Sequence, residues 1–184
     1  SEATASTTKP TIPPSGTITL YTSVTQRTVD AVVAAYRTGH PDVTVNVFRA
    51  PTGELAGRIA AEIRGGGLKA DILWLTDPLS IQAYAAQSLL KVWQPAEAAG
   101  IDAAFRTDTF WGTRFLNMVM IQGSSVTPGP IGWHDLTHAA SQDAVGIPDP
   151  GFAGSALGPP VSSAHTSGSR LGSYVGRKGH RAFP

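Results

Sequence analysis

The sequence predicts an α/β fold with a parallel central sheet, and three observations support it. Alternating, β-branched segments and amphipathic segments follow one another in the order β-α-β-α-β-α with short links, the order that a parallel sheet with crossover helices requires. The third strand segment, DILWL at residues 71–75, is an almost unbroken apolar run, as expected where helices cover both faces of a sheet. Composition also permits a core: 41% of the 184 residues are hydrophobic and 15% are charged, outside the range of chains too polar to fold.

Taken in order, TITLYT at residues 17–22 alternates and reads as the first strand. Over residues 24–37, Val29, Val32, Val33 and Tyr36 recur at helical spacing, which predicts a helix burying that face, and Gly39-His40-Pro41 ends it. VTVNVF at 43–48 alternates again. GELAGRIAAEIR at 53–64 sets Leu55, Ile59, Ala60 and Ile63 on one helical face. Gly65-Gly66-Gly67 follows this helix and not a strand, so it terminates the helix and does not cradle a phosphate. Residues 79–86 read as a third helix, followed by the segment 89–93. FLNMVMI at 115–121 is expected to be a later strand, and GSSVTPGPIG at 123–132 a turn-rich break. One short helix over 133–140 and a new strand over 145–148 complete the pattern. These readings divide the chain into a flexible tether at 1–16, a first α/β lobe at 17–122, a hinge or linker at 123–132, the start of a second lobe at 133–158, and a tail at 159–184.

Composition removes several function classes. There is no cysteine, hence no disulfide and no thiolate metal site. No apolar run reaches the roughly 20 residues of a membrane helix. The formal charge is +1, but residues 1–150 carry 13 acids against 10 Lys and Arg, while 151–184 carry four bases and no acid. No whole-molecule field therefore favours nucleic acid, and none is expected as a partner. Arg170, Arg177, Lys178 and Arg181 make a weak basic signal that reads as a solvated tail, with a surface or nucleic-acid interaction as an alternative.

Open α/β sheets bind ligands at the carboxyl ends of their strands, beside helix N-termini. The sequence places Thr22, Ser23 and Thr25 after the first strand, Thr52 and Gly53 after the second, and Thr76 and Asp77 after the third. Hydroxyls and backbone N–H groups from three loops suit a hydrogen-bonded polar or anionic ligand. Ser, Thr and Asp are also the preferred N-caps, so capping is the competing reading of each position. Asp77 could serve a small enzyme as a general base. No cysteine, GxSxG elbow, GxGxxG loop or Walker A accompanies it, so no enzyme and no cofactor are expected. His134 and His138 stand four apart without a Glu as in HExxH and without an evident third ligand. They read as surface or capping residues, and no metal is expected.

The TGEL run at 52–55 with Ile59, the ADILWLTD segment at 70–77 and IPDPGFAGSALG at 147–158 occur in an order, over about 140 residues, that resembles an extracytoplasmic solute-binding protein of an ABC importer. The similarity is to the branch binding ferric iron, phosphonates and sugar phosphates. It implies a periplasmic-binding-protein-like N-terminal lobe, a small-molecule solute held in a cleft between two lobes, and a membrane ABC permease as partner. It also implies an extracytoplasmic, periplasmic or cell-surface lipoprotein location, and SEATASTTKPTIPPSG is expected to be the tether of an exported protein, with an ordinary disordered N-terminus as the alternative. Gly154 and Ser155, at the helix start of the second lobe, would offer donors from the opposite wall. Thr25 stands where ferric-binding relatives have a His, and Thr76 about where they have a Glu, so bare ferric iron is a poor fit. The expected solute is oxygen-rich: an iron complex, a phosphonate or a sugar phosphate. Arg114 could offset an anion or form a surface or interlobe ion pair. Residues 159–184 lack acids, periodicity and the family pattern, so the expectation is a truncated product with an out-of-frame tail, the alternative being a natural short form with a disordered basic tail; impaired binding and self-association through uncovered apolar surface are expected with it.

Overall fold

The computed structural model describes residues 14–117, 119–138, 141, 144–149 and 151–157. The tether through residue 13 and the tail from residue 158, with its four basic residues, lie outside the described residues. Strand β1 (Gly16–Thr22) leads to helix α1 (Gln26–Gly39), β2 (Val43–Arg49), α2 (Thr52–Arg64), β3 (Ile72–Trp74) and α3 (Pro78–Ala86). The strands form a three-stranded parallel sheet in the order β2-β1-β3. The predicted α/β class is what the chain adopts.

Register explains how two small cores form on opposite faces. Tyr21 pairs with Phe48 on one side and Leu73 on the other. These three face Leu55, Ile59 and Ile63 of α2 and Tyr84 of α3. One residue earlier the pleat turns over. Leu20 then packs with Val45, Trp74, Val24 and the α1 residues Val29 and Val33. Helices thus cover both faces, which is why β3 needs no polar side, though Ile72 at its start remains 48% exposed.

The α2 face is extended by a polar bracket. The Tyr21 hydroxyl donates to Glu62 Oε1 at 2.6 Å, and Arg58 Nε donates to both that oxygen and the Tyr21 oxygen at 3.0 Å. Lys69 N donates to Glu62 Oε2 at 3.0 Å, tying the turn after α2 to the helix. The Arg58 guanidinium lies 3.9 Å above the Phe48 ring, a cation–π contact that also covers the edge strand. Burial pushes the Tyr21 hydroxyl pKa up, reinforced by its bond to Glu62. Glu62 is held below the ordinary carboxylate range, first by the Tyr21 hydroxyl and then by Lys69 N–H and Arg58.

Four expectations are corrected. Residues 115–117 and 119–121 form no strand, and Phe115 and Ile121 are 73% and 93% exposed. Residues 145–148 form no strand either. In both cases the apolar pattern is right for a strand, but a strand exists only where another supplies its hydrogen bonds, and among the described residues neither segment pairs with the sheet. The short helix expected over 133–140 is a 3-10 turn at Trp133–Thr137. On α1 only Val29 is fully buried, whereas Val32 and Tyr36 are exposed and Tyr36 stacks on His40 with ring centres 4.2 Å apart.

Candidate functional site

The three parallel strands end together, and the loops that leave them were expected to line a site. The structure separates the residues of these loops into two groups. Thr22 is fully buried; its Oγ1 donates to Trp74 O at 2.7 Å and accepts from Val24 N at 3.0 Å. It is a bracket between β1 and β3, closed to any ligand in this arrangement. Thr25 precedes α1 and is exposed, with its hydroxyl 2.9 Å from that of Thr28. Neither is brought to the others. Arg114 is likewise exposed.

Ser23, Thr52, Gly53, Thr76, Asp77 and Gly154 do converge. Ser23 Oγ accepts from Thr76 N and lies 3.0 Å from Thr76 Oγ1, linking the ends of β1 and β3. Asp77 is the N-cap of α3, accepting from Ser80 N at 2.7 Å through Oδ1. Thr52 is the first residue of α2, after the N-cap Pro51. Facing these loops are residues 149 and 151–157. Asp149 folds this stretch, accepting from Gly151 N through Oδ1 and from Phe152 N and Ala153 N through its carbonyl.

This stretch docks on the start of α2. Gly53 N donates to Gly151 O at 2.7 Å and Thr52 N to Phe152 O at 3.4 Å. The first N–H groups of a helix have no partner within the helix, and here two backbone carbonyls take them. The approach is so close that a Cβ on Gly53 would fall 2.5 Å from Gly151 O. A Cβ on Gly154 would fall 2.8 Å from Thr52 Oγ1 and 2.9 Å from Thr76 Oγ1. Gly154 opens a 3-10 turn, Gly154–Leu157, that also contains Ser155.

Beneath this contact lies a cavity of about 10 Å³ lined by Ser23, Thr52, Leu55, Ile59, Asp77 and Tyr84, among others. Two side-chain oxygens of its lining residues, Thr52 Oγ1 and Asp77 Oδ2, find no hydrogen-bond partner among the described residues, although Thr52 and Asp77 are only 8% and 3% exposed. An unpartnered buried polar group costs about 1–3 kcal/mol, so each is a site where a donor or acceptor from outside would be stabilising. Burial pushes the Tyr84 hydroxyl pKa up, with Asp77 adding to it. Tyr84 was not singled out in the sequence; its spacing seven residues from Asp77, two turns along α3, was the available signal.

A family model described as bacterial extracellular solute-binding protein matches residues 18–159. The match runs from β1 through the Gly154 turn, and so takes in both sides of the arrangement. No curated protein matches the chain.

Proposed function

The chain belongs to the bacterial extracellular solute-binding proteins, and on that premise we propose that it captures a small, oxygen-rich solute at the carboxyl edge of its sheet and delivers it to an ABC permease. A solute-binding role and an extracytoplasmic location follow from the family; the solute, the site and the partner are the proposal. Among the described residues no helix is long and apolar enough to cross a membrane.

One observation carries the site: Thr52 Oγ1 and Asp77 Oδ2 are buried and unpartnered on the same cavity wall. A solute that reaches this wall offers a hydroxyl or ammonium donor to Asp77 Oδ2 and a partner for Thr52. Its oxygen acceptors take the α2 N–H groups now held by the carbonyls of Gly151 and Phe152, where the helix dipole favours negative charge. Ser23, Thr76 and the backbone at Gly154 and Ser155 complete the enclosure. Uptake requires residues 151–157 to move away from α2 and back, because the cavity is now about the size of one water molecule.

Donor and acceptor ends in one molecule favour a sugar phosphate or a hydroxy- or aminophosphonate, with a chelated ferric complex as the weaker candidate. A bare ferric ion at this edge meets the neutral hydroxyls of Ser23, Thr52 and Thr76, which are poor ligands for a hard trivalent cation. Asp77 acts as a binding and capping group in this reading, not as the general base of an enzyme.

Calorimetry of the full chain against a sugar phosphate, a hydroxyphosphonate, an aminophosphonate and a ferric carboxylate chelate tests the proposal. The Asp77→Asn variant keeps an oxygen for Ser80 N and puts an NH₂ group where Oδ2 stands. Selective loss of binding for the donor-bearing solutes is expected. Absence of binding by every member of the panel, or affinities indifferent to Asp77→Asn, would overturn it.

A further inference from the structure

A second cluster, sharing no residue with the sheet-edge site, has chemistry of its own. The 3-10 turn Trp133–Thr137 and the residue after it bring His134, Asp135 and His138 together, with one ligand atom from each within 4.8 Å of the others. The two imidazoles meet edge to face with ring centres 5.5 Å apart. The third donor absent from the linear pattern is the residue directly after the first histidine, made to face both rings by the turn.

The backbone around the cluster is heavily pinned. Asp135 Oδ2 accepts from Ile131 N at 2.7 Å and Gly132 N at 3.0 Å. Its carbonyl accepts from His138 N at 3.2 Å and from Ser141 Oγ at 3.0 Å. The His134 carbonyl accepts from Thr137 Oγ1 at 2.7 Å. Both bonds to the carboxylate use one oxygen, so the other is the one available to an ion. Hydrogen bonds of this kind orient metal ligands from behind. The histidines are exposed and Asp135 half-buried, so an ion can arrive from solvent and the rings can rotate to close on it.

We propose that His134, Asp135 and His138 form a binding site for a borderline divalent transition metal of the Zn²⁺ class. Two imidazole nitrogens and a carboxylate oxygen make the donor set such ions prefer, whereas Ca²⁺ and Mg²⁺ take oxygen ligands alone. Zn²⁺ bound at about 2.0–2.2 Å from each donor draws the three atoms closer than 4.8 Å, a movement that two exposed rings supply. Three protein donors leave one tetrahedral position for water or an outside ligand. The bound ion ties the turn at 133–138 together after the Gly- and Pro-rich linker.

The test is calorimetric titration of the full chain with Zn²⁺, paired with absorption spectra of the Co²⁺ form. One saturable event and tetrahedral Co²⁺ bands are expected. Loss of an outer-shell partner alone lowers metal affinity about 10–100-fold, so His134→Ala/His138→Ala should lose at least that much. Asp135→Asn, whose amide oxygen still accepts from Ile131 N and Gly132 N, should lower affinity without disturbing the circular dichroism. His165→Ala/His180→Ala, in the tail, should bind as the parent does. No uptake by the parent chain, absent tetrahedral bands, uptake surviving His134→Ala/His138→Ala, or full affinity in Asp135→Asn would each overturn the site.

Discussion

Thr52→Val separates a binding oxygen from a packing defect. Valine keeps the branched shape at the first position of α2 and replaces the hydroxyl with a methyl. The cavity that Thr52 lines is also lined by the apolar Leu55, Ala56, Ile59 and Leu75, and among the described residues its hydroxyl oxygen has no partner. Leaving a buried hydroxyl unpaired costs about 1–3 kcal/mol. Removing it should therefore raise unfolding stability in the absence of solute, by about 1 kcal/mol at the lower end of that range. Solute binding should move the opposite way. One lost neutral hydrogen bond is worth about 0.5–1.5 kcal/mol, or roughly a 2–13-fold weaker Kd. Urea unfolding read at constant slope gives the first quantity, and calorimetry with the solute found for the parent chain gives the second. A variant less stable than the parent would mean that the hydroxyl is satisfied in the folded state, and the reasoning fails. A more stable variant with unchanged affinity would mean that Thr52 faces no solute.

Two further perturbations address the elements that hold the site. Glu62 has an ordinary value of 4.5 that the fold lowers, so on acidification the unfolded chain takes up this proton first. The stability from the Tyr21–Glu62–Arg58 bracket is present above the ordinary value and is lost as pH falls through the lowered one. Urea midpoints across that acid range should fall less steeply in Glu62→Gln than in the parent, and parallel curves would refute the coupling. In Gly53→Ala the new Cβ falls 2.5 Å from a backbone carbonyl, Gly151 O, which cannot swing aside alone. Overpacking of about 1–3 kcal/mol should outweigh the ~1 kcal/mol that alanine gains in a helix. Residues 151–157 should then leave α2, and faster hydrogen exchange at the amides of residues 52 and 53 would report it; unchanged exchange would contradict the docking.

Much of the first unit was legible in the sequence because its signals are local. Helical and strand periods belong to short windows, so β1, α1, β2, α2, β3 and α3 fall within a few residues of where the pattern puts them. Placing Ser23, Thr52, Gly53, Thr76 and Asp77 at one edge needed only the further rule that parallel strands end on the same side. The sequence did not tell Thr22 from Ser23, since both come after the same apolar run. Pairing of Thr22 with Trp74 turns one hydroxyl into the core and leaves its neighbour for Thr76.

By itself, then, the sequence determined the class of fold, the order of its elements and the edge where Ser23, Thr52, Gly53, Thr76 and Asp77 meet, because these depend on spacing along the chain. The tertiary structure alone decided what spans long separations. It set the strand order β2-β1-β3 and left residues 115–117 and 119–121 without a strand partner. It pressed Gly154 against Thr52 and Thr76, and it left two oxygens without partners beneath that contact. A side chain's period states which way it points from its own element. Whether a donor, an acceptor or open space waits there is set by residues far along the chain, and only their packing supplies the answer.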